Sequence, residues 1–323
     1  MMTSSFPSIL RPVTAVCLAL LASAWLGAQP PASKQQSPHL QQALELIKAD
    51  KPAEALAAVK RELAENPTSG PAANLLDTLG ATKEARAVFE KRIDAAPDAA
   101  AKAAAQRAMA MSYAFDGNHK AALKLEEQVI AYWKSREAAE PQNAFYQQGE
   151  MANEAARVCI DASDLDAAEK WYRKGSELGL KEPEPKTHPK SLWDYRLAHA
   201  LGRIAARRGD KVEAQRQITI ARGILDADPK MGKQQERFYP YLVGYVALYT
   251  GDLKTAEKEL TKATLSTGSQ NDPFFAYLLA MTHEQLGQKD RAMELYRKSY
   301  SLATAHNPAA AYARPNARKK LGL

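Results

Sequence analysis

The chain has 323 residues, 46% of them hydrophobic and 25% charged, a balance that supplies a sizeable core and argues against intrinsic disorder. Alanine dominates and aromatics reach only 7%, which suits close-packed helices and not an all-β fold. Two cysteines, Cys17 and Cys159, are too few for a disulfide-knit scaffold, and a net charge of +7 is only mildly basic.

Residues 1–28 hold a single charge, Arg11, and an apolar run over 13–28. That run falls short of the roughly 20 residues needed to cross a bilayer as a helix. Small residues close it, and the polar stretch Gln29-Pro30-Pro31-Ala32-Ser33-Lys34 follows. The pattern predicts a signal peptide over 1–28, cleaved after Ala28 or alternatively after Ala24, and so a secreted or periplasmic protein. Cys17 lacks the small residue immediately before it that lipid attachment needs. Residues 29–38 read as a disordered N-terminal segment, and no later run is long enough for a stable membrane span. Outside the cytoplasm a mildly basic balance points to acidic peptides or the envelope surface, not to nucleic acid.

From residue 39 onward, a small residue followed four places later by a larger one recurs just after a polar turn. The pairs are Ala55/Val59, Ala85/Phe89, Ala122/Glu126, Ala168/Tyr172, Ala214/Ile218, Ala256/Leu260 and Ala292/Tyr296. The turns before them carry Asp50, Gly80, Gly117, Ser163-Asp164, Gly209, Gly251 and Gly287, the residue types that accept left-handed backbone geometry. Each unit is predicted to be a helical hairpin. Asn66-Pro67, Ala96-Pro97, Glu140-Pro141 and Asp228-Pro229 punctuate the ends of second helices. Residues 39–180 thus form an N-terminal set of repeats and 191–304 a C-terminal set. The connector 181–190, with Pro183, Pro185 and Pro189, reads as a surface loop in a continuous array or alternatively as a hinge. The tail 305–323, with Pro308, Pro315, Arg318, Lys319 and Lys320, is expected to form a short polar capping helix over the last hairpin.

These units resemble the tetratricopeptide repeat (TPR) family, whose ideal period is about 34 residues. The resemblance is strongest at Ala162-Ser163-Asp164-Leu165-Asp166-Ala167-Ala168-Glu169-Lys170-Trp171-Tyr172 and at Leu286-Gly287-Gln288-Lys289-Asp290-Arg291-Ala292-Met293-Glu294-Leu295-Tyr296. It covers roughly 39–304. The units lack the family's tryptophan near their start, and its first-helix tyrosine survives clearly only as Tyr113. The resemblance implies an all-α, right-handed α-solenoid of about seven irregular hairpins with a C-terminal capping helix. It also implies a non-catalytic scaffold that binds a protein or peptide through a concave groove lined by first helices.

No motif for chemistry emerges. His283-Glu284 opens like a zinc-protease helix, but Gly287 stands where the second histidine would be needed. The remaining histidines are scattered, no phosphate-cradling glycine loop occurs, and Cys159 reads as a small buried apolar residue. No catalytic residue, metal site or cofactor is expected.

The repeat register nevertheless selects a face. Tyr241, Tyr245 and Tyr249 align with His199, Arg203 and Arg207 of the preceding unit, and Phe238 with Arg196. One unit earlier stand Glu150, Asn153, Arg157 and Asp161; one unit later Phe274, Tyr277, Met281 and Gln285. Asn153, Arg157, Arg196, His199, Arg203, Arg207, Tyr241, Tyr245, Tyr249 and Tyr277 are therefore the candidate peptide-binding groove. Guanidinium forks suit an acidic partner and phenols offer flat contact area, with Arg157, Arg203, Arg207, Tyr241 and Tyr245 carrying most of the contact. The competing readings are a solvated arginine face with tyrosines packed between repeats, a structural part in an envelope assembly using the convex or terminal surfaces, and an α-toroid enzyme. A toroid would bring the first and last hairpins together.

Overall fold

The computed structural model describes residues 37–323 apart from Thr267, and every regular element among them is helical. The leader 1–28 with its two cleavage positions, and the segment 29–36, lie outside the described residues. In chain order the helices are α1 (Pro38–Lys48), α2 (Pro52–Glu65), α3 (Gly70–Thr78), α4 (Thr82–Asp94), α5 (Ala99–Phe115), α6 (His119–Ser135), α7 (Pro141–Asp161), α8 (Leu165–Leu180), α9 (Lys190–Arg207), α10 (Lys211–Ala227), α11 (Pro229–Gln235), α12 (Tyr239–Thr250), α13 (Leu253–Leu265), α14 (Pro273–Gln285), α15 (Lys289–Leu302) and α16 (Pro308–Leu321). A short 3-10 turn, Glu236–Phe238, leads into α12.

Helices α1 to α10 pair in order, and α12/α13 and α14/α15 complete seven hairpins among the described residues, with α11 inserted before the sixth. Local chemistry sets each boundary. Every hairpin turn holds one residue in the left-handed region: Asp50, Gly80, Gly117, Ser163, Gly209, Gly251 and Gly287. Most are glycine, which enters that region without a Cβ penalty. Asp98, Asn118, Asp164, Asp210, Asp252 and Asp272 each accept a first-turn backbone N–H and so cap the helix they precede. Pro141, Pro229, Pro273 and Pro308 open helices where no backbone donor is needed.

Packing follows the repeat. All seven alanines are buried, and Val59, Phe89, Glu126, Tyr172, Ile218, Leu260 and Tyr296 are buried four places on. The small side chain lets the two helices of a hairpin approach, and the larger one fills the groove toward the next hairpin. First helices are covered nearly all round and second helices along one stripe: α7 and α9 each bury eleven residues, α13 and α15 three each. The fold is an α-solenoid with α5, α7, α9, α12 and α14 as its inner layer and the second helices outside.

Two segments differ from a plain array. In the connector, the buried Glu182 carboxylate accepts hydrogen bonds from the Thr187 backbone N–H and hydroxyl, and it pairs with His188 Nδ1 at 3.0 Å. The His188 ring stacks on Tyr146 of α7 at 3.8 Å, so the connector is tied down while α8 and α9 pack directly on each other. The tail forms a helix, but it is not the polar cover expected of it. Helix α16 buries Ala310, Ala311, Ala313, Arg314 and Ala317, and it packs against α5 and α7 as well as α14 and α15. No described helix is long and apolar enough to cross a membrane.

One repeat position is chemically out of place. Glu126 stands where the other units put an apolar or aromatic side chain, and it is fully buried beside Glu154, which Arg107 holds with two hydrogen bonds at 2.7 and 3.0 Å. Burial, followed by the charge of Glu154, pushes the Glu126 carboxyl well above the usual carboxylate range, with Arg107 opposing. The folded protein therefore keeps a proton that the unfolded chain sheds. Stability from this group is complete below the unfolded carboxylate pKa and is lost as pH rises through the folded one. Glu126→Leu is expected to raise unfolding stability by about 1 to 3 kcal/mol at neutral pH. Urea titrations should show that gain shrinking toward pH 4.5; a gain independent of pH would refute the assignment.

Candidate functional site

The two stripes picked out by the repeat register meet on the inner layer. Arg203 donates from Nη1 to the Tyr241 hydroxyl at 2.9 Å and from Nη2 to the Tyr172 hydroxyl at 3.0 Å. Arg207 donates to the Tyr245 hydroxyl and the Ile160 carbonyl, each at 3.3 Å, and to Ser163 Oγ at 2.7 Å, with its guanidinium over the Tyr249 ring. His199 donates from Nε2 to the Phe238 carbonyl at 3.2 Å, and burial holds its pKa well below the ordinary value, so the ring is neutral. Arg196 pairs with Glu150 one unit back. Arg157 binds Asp161 at 3.0 Å and lies over the Phe274 ring at 4.0 Å, although Phe274 belongs to the seventh hairpin and Arg157 to the fourth. Tyr277 packs against Tyr296 and Tyr312, and Asn153 borders Gly175.

None of the ten predicted residues is exposed. Arg157, His199, Arg203, Tyr241, Tyr245 and Tyr277 are buried, and Asn153, Arg196, Arg207 and Tyr249 half-buried. The expectation of an open groove walled by all ten is thereby corrected. The array curves tightly enough for α7 to reach α14, and the groups meant for a ligand satisfy one another. Burial, with the neighbouring Tyr249 adding to it, also raises the Tyr245 phenol well above its usual pKa, which keeps it a neutral partner for Arg207.

Helix α16 completes the enclosure. Tyr312 meets Phe274 and Tyr277 edge-on, each at 5.3 Å between ring centres. Arg314 donates to the Thr78 carbonyl at the end of α3 and, at 2.9 Å, to the Tyr300 carbonyl near the end of α15. His306, in the loop before α16, stacks on Phe115 and donates to Asp77 Oδ2 at 2.9 Å, while Ser112 donates to Asp77 Oδ1 at 2.8 Å. With the carboxylate in the middle, the histidine faces the acid and not the hydroxyl, so nothing here activates Ser112 as a nucleophile. The second and seventh hairpins are thus joined through the tail. That is the proximity expected of a ring, but the interior is filled by α16.

Sequence reasoning missed Tyr312 and Arg314. The available signal was compositional: Ala309-Ala310-Ala311-Tyr312-Ala313-Arg314 has the small, tyrosine- and arginine-bearing character of the inner helices. Cys159 is buried, and burial followed by Asp164 pushes its thiol up to about 12, which leaves it inert. Among the described residues no group of three or more His, Cys, Asp or Glu side chains could hold a metal ion.

Open space remains on both flanks of α16. One cavity of about 320 Å³ lies between the α5–α6 turn, the α7–α8 turn and α16. Phe115, Val158 and Pro315 form apolar walls, Asp116, Asp161 and Lys319 bring charge, and His119 adds a polar ring. A second, of about 370 Å³, lies toward the end of α3.

An inner layer of first helices, an outer layer of second helices and a left-handed residue at each turn define a helical-hairpin repeat protein. Residues 275–306, spanning most of α14 and all of α15, match the family model of the tetratricopeptide repeat. The match covers the seventh hairpin, and the six hairpins before it share its helical form. Two solved structures are similar to it. One is a tetratricopeptide repeat protein from Parabacteroides merdae, at 16% identity over 82% of this chain and 91% of that one, with a TM-score of 0.42. The other is a set of TPR-like repeats of a putative kinesin light chain from Podosopora anserina, at 14% identity over 82% and 92%, with a TM-score of 0.33. No curated protein matches the sequence.

Proposed function

We propose that this protein is an exported scaffold that holds a partner protein at the mouth of its inner layer, in the cavity between the α5–α6 turn, the α7–α8 turn and α16. The observation that carries the reading is the contrast between the stripe and the mouth. Arg203, Tyr241 and Tyr245 are consumed internally, whereas the cavity of about 320 Å³ stays open and combines apolar walls with a charged rim. That volume admits a bulky apolar side chain of a bound segment, with Asp116, Asp161 and Lys319 placed to pair with charges beside it. Export rests on the single-charge apolar leader with small residues at its end.

Placing a photo-crosslinking residue at Asn316, on the cavity wall, and separately at Lys258, on the exposed side of α13, tests the reading in the native envelope. A partner should be captured from position 316, and Ala162→Arg or Lys319→Glu should weaken that capture about tenfold. Capture from 258 alone would instead make the protein a structural part held by its outer helices.

A further inference from the structure

Helix α16 sits on the inner layer as a ligand would. It presents a face of alanines, one aromatic and one arginine. Its alanines share an apolar cluster with Met111 and Phe115 of α5 and with Tyr277 and Ala280 of α14. Tyr312 enters between Phe274 and Tyr277. Arg314 is received by backbone carbonyls from two helix ends, Thr78 on α3 and Tyr300 on α15, with its guanidinium 4.1 Å from the centre of the Tyr300 ring. Thr78 is the last residue of α3, so its carbonyl has no partner within the helix and lies at the negative end of the helix dipole. A planar, forked cation is what such a paired carbonyl site accepts, and recognition through backbone depends little on the surrounding side chains.

The same contacts make α16 easy to part from the rest. Alanine methyls remove little apolar surface from water, in contrast to Trp193, Tyr195 and Ile204 on α9. Pro315 takes one backbone hydrogen bond out of the helix. Of its other anchors, Lys320 on Glu284 at 2.7 Å is exposed and exchanges readily for water, whereas His306 on Asp77 is buried and is released only as the helix leaves.

We propose that the wall formed by α5, α14 and the ends of α3 and α15 is a helix-binding site of which α16 is the resident, displaceable occupant. The partner it fits is a short alanine-faced helix carrying an arginine at the place of Arg314. This goes beyond the mouth: the mouth is formed with α16 seated, whereas this site opens when α16 leaves.

The probe is a synthetic peptide with the sequence of residues 305–323, added to the full chain carrying Arg314→Ala, which weakens the resident helix. Fluorescence anisotropy should show saturable binding, about tenfold tighter than to the wild-type chain, whose own α16 competes at high effective concentration. A peptide with the same arginine replaced by alanine should bind about tenfold more weakly. Hydrogen exchange should report that saturating peptide deprotects the chain's own α16 and leaves α9 unchanged. No binding at millimolar peptide, or binding without release of α16, would overturn the proposal. If Arg314→Ala does not fold, His306→Ala serves; if neither folds, α16 is an inseparable part of the core and the proposal fails.

Discussion

Trp193→Ala will lower the unfolding free energy by about 3 to 5 kcal/mol, the range for deleting a fully buried aromatic. The ring is held in a slot that glycine makes possible. A Cβ built on Gly179 of α8 would lie 2.1 Å from the indole, and one on Gly149 of α7 would lie 2.4 Å from it. Gly149 and Gly175 also let α7 and α8 approach backbone to backbone, since a Cβ on either would meet the other's carbonyl oxygen at 2.9 to 3.0 Å. Mid-helix glycine costs roughly 0.5 to 1 kcal/mol relative to alanine, so this slot is retained against local propensity. The sharper test is therefore a double-mutant cycle. Gly179→Ala in the wild type forces a rigid ring aside and should cost about 1 to 3 kcal/mol. In the Trp193→Ala background the clash is gone, and the same change should become neutral or stabilising by up to about 1 kcal/mol. Urea denaturation of the four proteins measures both effects. An equal cost of Gly179→Ala in the two backgrounds would show that the ring does not fill the slot.

The hairpins were legible because their determinants are local. A left-handed residue at a turn, a capping aspartate before a helix and an alanine at each close approach act within a few residues, and all seven alanines are buried where the repeat put them. The lateral neighbours of the inner stripe were legible for the same reason. Arg196 meets Glu150 one unit back, and Arg203 and Arg207 meet the tyrosines one unit on. Curvature was not legible. It accumulates from small rotations between successive hairpins, and no single residue encodes it. Whether an arginine stripe faces water or another wall depends on that sum, and here the sum carries Phe274 onto Arg157. The tail was misread for a related reason. Its three terminal cations suggest a solvated cap, whereas the alanines, Tyr312 and Arg314 ahead of them choose the interior.

Arg203→Ala will behave as a core mutation and not as a binding mutation. The guanidinium bonds phenols on α8 and α12, and its Nε donates to the His199 carbonyl at 3.3 Å, so one side chain fastens α8, α9 and α12. Its removal strands the Tyr172 and Tyr241 hydroxyls in a site closed to water and leaves a cavity, with an expected loss of about 3 kcal/mol. A ligand-contacting arginine would show the opposite pattern, unchanged unfolding with weakened capture of a partner. Arg203→Lys should recover little, because a single ammonium cannot reach two hydroxyls on opposite sides. Arg203→Met combined with Tyr172→Phe and Tyr241→Phe removes the charge and both hydroxyls together while conserving most of the volume. That triple variant should unfold within about 1 kcal/mol of the wild type, since replacing a buried polar cluster whole avoids leaving any member unpaired. Should Arg203→Ala leave the urea midpoint unmoved, the guanidinium would have to be free of Tyr172 and Tyr241 in solution, and the inner layer would be open along the stripe after all.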